Sequence, residues 1–75
     1  MDDQRILDLM MGVLQRAYPE ITIHTEFEQI GADSQLLLDI ILDVEKSFGQ
    51  EFDADAFTSG LTPFILSRAF KPPPP

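Results

Sequence analysis

Gly31-Ala32-Asp33-Ser34-Gln35-Leu36-Leu37-Leu38-Asp39-Ile40-Ile41-Leu42-Asp43-Val44-Glu45 is the stretch on which the fold turns. It reads as a loop closing on a glycine turn, a serine at the first position of a helix, and a helix apolar on more than one side. The first backbone N–H groups of a helix have no intrahelical acceptor, and its macrodipole is positive there, so a phosphate on Ser34 is stabilised at that point. The stretch suits a residue that carries a phosphodiester.

Stepping 100° per residue from Ser34, a helix over Ser34–Phe48 places Leu37, Ile40, Ile41, Val44 and Phe48 within one core-facing arc of about 100°. Gly49 stops it. Leu38 and Leu42 fall outside that arc and make a second, narrower apolar strip rimmed by Gln35, Asp39, Glu45 and Lys46. The plain alternatives are that Ser34 is a helix cap, that Leu38 and Leu42 touch a second core neighbour, and that Asp39, Asp43 and Glu45 are a solvated face.

Upstream, Asp2 or Asp3 caps a first helix whose apolar stripe is Ile6, Leu9, Met10, Val13, Leu14 and Ala17, and Tyr18-Pro19 ends it. Residues 20–31 follow neither a helical nor a strand period. They are expected to form a long ordered loop pinned by Ile21, Ile23, Phe27 and Ile30, and loops of this length are commonly functional. Downstream, 52–57 has room for a turn or two of helix, broken by Thr58-Ser59-Gly60. Thr62-Pro63, a cap followed by proline at the first helical position, starts a last short helix carrying Ile65, Leu66, Ala69 and Phe70. Residues 1–70 are expected to form one domain and 71–75 an extended proline-rich tail.

The 75-residue chain has a formal net charge of −8 and no cysteine. A domain of this size buries only about 60% of the surface its unfolded chain exposes, so the apolar face must hold it without disulfides or thiolate zinc. Between Ala17 and Ser67 ten acids stand against Lys46 alone, a field that repels nucleic acid and anionic membranes and attracts basic protein surfaces. No apolar run approaches the ~18 residues of a membrane span, and the acidic start Met1-Asp2-Asp3 is unlike a secretory signal. The expectation is a soluble, monomeric, cytoplasmic protein. Asp53-Ala54-Asp55 lacks the glycine and closing glutamate of a calcium loop. His24, Asp33 and Ser34 lack the nucleophile elbow of a hydrolase, which leaves His24 as an exposed loop residue and no catalytic or metal residue to name.

Gly31-Ala32-Asp33-Ser34, preceded by a loop containing Thr25-Glu26-Phe27 and followed by an acidic helix ending at Phe48-Gly49, resembles the acyl carrier protein family across nearly the whole chain. The resemblance implies an all-α four-helix bundle, three principal helices and one short one, with a long first loop. Its core is expected from Ile6, Leu9, Val13, Phe27, Ile30, Leu37, Ile41, Val44, Phe48, Phe57, Ile65 and Leu66.

It further implies a free-standing, non-enzymatic carrier. A magnesium-dependent transferase moves 4'-phosphopantetheine from coenzyme A onto Ser34, Asp33 helps present that serine, and the thiol of the arm holds acyl groups as thioesters. Gln35, Leu38, Asp39, Leu42 and Glu45 are the implied docking positions for the transferase and for acyl-handling enzymes with basic patches. Leu37, Ile41, Phe52 and Phe57 are expected to line an acyl cavity between the second and third helices. Fatty-acid, polyketide and specialised lipid synthesis are all open as pathways.

Three positions depart from the family's habit: Gln35 where leucine is common, Leu36 where an acid is common, and Lys46 where an acid is usual. They point to a specialised carrier with dedicated partners. An aminoacyl or peptidyl carrier shares the serine and the plan. A non-covalent interaction domain using Leu38 and Leu42 is the reading from a different class.

Overall fold

In the computed structural model, which describes residues 2–73, two long helices carry the architecture: α1, Asp2–Ala17, and α2, Ser34–Phe48. A two-residue strand β1, Glu51–Phe52, follows, then a single 3₁₀ turn, Ala54–Ala56. The five-residue helix α3, Pro63–Ser67, and a second short strand β2, Phe70–Lys71, complete the order.

The four-helix, all-α expectation is therefore corrected: the described residues hold three α-helices and one antiparallel strand pair, and the chain is mostly helical. Asp53 caps Ala54–Ala56 by accepting from the Asp55 N–H, but Asp-Ala-Asp-Ala offers no apolar stripe to extend the turn into a helix. The last helix ends at Ser67, short of Ala69 and Phe70. Phe70 instead pairs with Phe52, their rings 5.5 Å apart, and Lys71 pairs with Glu51 and meets Asp53 at 3.8 Å. Lys71, assigned to the tail in the sequence reading, is thus held in β2, while Pro74 and Pro75 of that tail lie outside the described residues. Two-residue strands have no periodicity to read.

Helix α1 packs on α3 more extensively than any other pair of elements, with α2 against the same core. The core joins Ile6, Met10 and Leu14 of α1 to Leu37, Ile40, Ile41 and Val44 of α2, Leu66 of α3, Ile21 and Phe27 of the loop, and Leu61 and Phe70. On α1 the buried arc is rotated from the expected one: Leu7 is buried, Val13 is half-buried, and Leu9 and Ala17 are exposed. Ile6, Met10 and Leu14 belong to both arcs, and apolar residues flank them on either side, so the stripe alone did not choose. Ile30, Phe57 and Ile65, also expected in the core, are exposed, and Phe48 is half-buried against it.

The segment between α1 and α2 is ordered by hydrogen bonds within itself and to residues 61–64. Phe27 N–H donates to the Leu61 carbonyl at 2.9 Å, Phe64 N–H to that of Ile23 at 3.0 Å, and Ala32 N–H to that of Phe27 at 3.0 Å. Gly31 turns the chain at φ 60°, and Gly49 ends α2 at φ 63° with its N–H on the Glu45 carbonyl. Both conformations are left-handed, where a Cβ is penalised. No helix among the described residues is long and apolar enough to cross a membrane.

Candidate functional site

Asp33 is held by every polar group it has. Its N–H donates to the Tyr18 hydroxyl at 2.8 Å, its carboxylate accepts from the Gln35 N–H at 2.9 Å, and its carbonyl accepts from the Leu37 N–H at 3.2 Å. With φ −67° and ψ 119° it is the N-cap of α2, so the capping role considered for Ser34 belongs to its neighbour. A short acidic side chain immediately before a helical stripe is the usual device for this.

Ser34 is the first residue of α2 and is exposed. Among the described residues its hydroxyl makes no hydrogen bond, and the N–H groups of Ser34 and Leu36 have no protein acceptor. Two unoccupied amides at the positive end of a fifteen-residue helix thus lie at a serine whose hydroxyl has no structural duty. Replacing Asp33 by alanine is expected to destabilise the protein by about 1 kcal/mol through loss of the cap, measured by urea denaturation.

Beside Ser34 lies an open groove of about 460 Å³. Phe27, Leu37, Phe57 and Leu61 line it with Gly31 and Ala32, and Glu28, Thr58 and Ser59 supply its polar groups. Of the cavity residues named from the sequence, Leu37 and Phe57 are in this groove. Ile41 is instead buried in the core, and Phe52 is half-buried between Phe57 and Phe70.

The outer face of α2 is distinct. Leu38 is 47% and Leu42 59% exposed, which removes the reading of both as core. Gln35 donates to Asp39 along the helix at 3.1 Å, and Asp39, Leu42, Asp43, Glu45 and Lys46 line a surface recess. Glu45 is half-buried and accepts the Phe52 N–H at 2.9 Å, tying β1 back to α2.

His24 is turned to other contacts. Its ring centroid lies 5.4 Å from that of Phe64, and the Arg68 guanidinium sits 3.8 Å from the Phe64 centroid. Among the described residues no cluster of three or more His, Asp or Glu side chains is placed to hold a metal ion. Sequence reasoning missed Tyr18, seen there only as a helix stop, because a hydrogen bond spanning fifteen positions leaves no local pattern. It also missed Leu61, an isolated leucine in a turn.

The family model described as "Phosphopantetheine attachment site" matches residues 4–63. The acyl carrier protein of Lactococcus lactis subsp. cremoris (strain MG1363) is 36% identical over 53 residues, 71% of this chain and 73% of the relative. The chain belongs to the acyl carrier protein family. The acyl carrier protein of Lactococcus lactis subsp. lactis (strain IL1403) matches with the same identity and coverage. No solved structure gives a significant match.

Membership in the acyl carrier family makes this a carrier protein and implies a 4'-phosphopantetheine prosthetic group. The residues at the start of α2 fit such a group. They include an exposed hydroxyl, two amides that are unpaired among the described residues, and an apolar groove alongside.

Proposed function

We propose that Ser34 bears the phosphopantetheine and that the protein carries acyl groups from enzyme to enzyme in fatty-acid, polyketide or specialised lipid synthesis. The observation that carries this reading is the division of labour at the helix start, where Asp33 caps α2 and leaves the Ser34 hydroxyl exposed and, among the described residues, unbonded. A serine needed for the cap would lose one role on taking up the other.

In the loading step the Ser34 hydroxyl oxygen forms a P–O bond to the pantetheine-side phosphorus of coenzyme A. The bond from that phosphorus to the bridging oxygen of the diphosphate breaks. The adenosine bisphosphate leaves with that oxygen, and the serine proton passes to it or to a base of the transferase. Asp33 fixes the backbone from which Ser34 is offered. The thiol of the bound group supplies the thioester linkage, and the chemistry of acyl transfer belongs to the partner enzymes.

Leu38 and Leu42 form the apolar part of the proposed docking face, with Gln35, Asp39 and Glu45 around them. Exposed charge pairs are worth about 0 to 1 kcal/mol each and are screened by salt, so such a face gives fast encounter and easy release. Glu45, committed to the Phe52 N–H, contributes there mainly through its charge. Gln35 and Lys46 mark the face as suited to dedicated partners.

Incubation with coenzyme A, magnesium and a broad-specificity phosphopantetheinyl transferase tests the reading by intact mass. Addition of one phosphopantetheinyl group is expected, and an unchanged mass under conditions that modify another carrier overturns it.

A further inference from the structure

We infer that Tyr18 is a positioning residue for the loading of Ser34, a role that rests on the attachment site proposed above. Tyr18 directly follows α1, half-buried against the core, and its hydroxyl accepts the Asp33 N–H at 2.8 Å across fifteen positions of sequence. No other side-chain hydrogen bond among the described residues joins the end of α1 to the start of α2.

The bond acts on the one residue that both caps the helix and precedes the acceptor. The Asp33 carboxylate and carbonyl tie it forward into α2 through Gln35 and Leu37, but only its N–H ties it to another element. Without the phenol oxygen, Asp33 is still held by α2 and by the Ala32 N–H bond to the Phe27 carbonyl beside it, but it loses its direct tie to the end of α1. The Ser34 hydroxyl then samples a wider volume at the moment it must meet the phosphorus of coenzyme A. Small displacements of a nucleophile are costly to rate, while the α2 docking face is unaffected by this contact.

The aromatic ring supplies the packing and the oxygen supplies the bond, so Tyr18→Phe separates the two. With a broad-specificity transferase and coenzyme A, this variant is expected to lose about 10-fold in kcat with KM for the carrier held within about twofold. A purely structural role predicts no such split. Unchanged kcat, or a raised KM at constant kcat, overturns the inference.

Amide hydrogen exchange on the unmodified wild-type protein provides a second reading independent of whether the variant folds. The Asp33 N–H is expected to exchange more slowly than that of Ser34, and equal rates overturn the inference. Ser34→Ala run in parallel keeps the two proposals apart. If it blocks modification while Tyr18→Phe turns over like wild type, the positioning role alone fails. If it is modified at the wild-type rate, the attachment site fails and the positioning role with it.

Discussion

Ser34→Ala is expected to abolish phosphopantetheine uptake completely while leaving stability unchanged or raised by up to about 0.5 kcal/mol. The two halves of this result have separate causes. Uptake is lost because the esterified oxygen is gone. Stability is kept because Asp33 holds the cap and the Ser34 hydroxyl bonds to nothing among the described residues. Alanine is also the better helix former. Intact mass after transferase treatment reads the first half and urea denaturation the second. Were Ser34 itself the cap, the same substitution would cost about 1 kcal/mol.

Leu66→Ala is expected to cost about 2 to 5 kcal/mol of stability. Leu66 is fully buried on a five-residue helix that could not persist alone, and it joins α3 to the α1 core. At about 0.05 to 0.15 kcal/mol per residue, a 75-residue domain is stable by roughly 4 to 11 kcal/mol, so this one truncation removes a large share. Ile65→Ala, next to it on the same helix, is expected to cost under about 1 kcal/mol, because Ile65 is 45% exposed. Urea midpoints of the two variants make the comparison directly.

That neighbouring pair shows how far the sequence could be read. Thr62-Pro63 announced the start of α3, and the Thr62 hydroxyl does accept the Ile65 N–H at 3.2 Å. A five-residue helix is too short for its apolar residues to define a face, so Ile65 and Leu66 looked alike. Helix α2 is fifteen residues long and carries charges beside its apolar stripe, and Leu37, Ile41 and Val44 were legible as core while Leu38 and Leu42 stood apart. On α1 apolar residues flank the shared stripe on both sides, which hid the rotation that buries Leu7 and exposes Leu9. The β1 and β2 pairing joins residues eighteen and twenty apart through two backbone positions each, with no composition to signal it.

At the candidate site the motif located the helix start to the residue, since a glycine turn, an acid and a helical stripe are local features. The partition between cap and hydroxyl was not local. It is set by the Asp33 backbone angles and the Asp33 bond from the Gln35 N–H, which show only in three dimensions, as does the Asp33 N–H bond to a tyrosine fifteen residues earlier. The groove beside Ser34 likewise brings Phe27 and Leu61 into contact with α2 through loop hydrogen bonds that no spacing encodes.

The most direct measurement is fragmentation mass spectrometry of the transferase-treated protein, locating the added group among its hydroxyl side chains. The phosphopantetheinyl mass is expected on Ser34 and on no other residue. Finding it on Ser47, Thr58 or Ser59 would contradict the account, because the capped helix start would then not be what selects the modified hydroxyl.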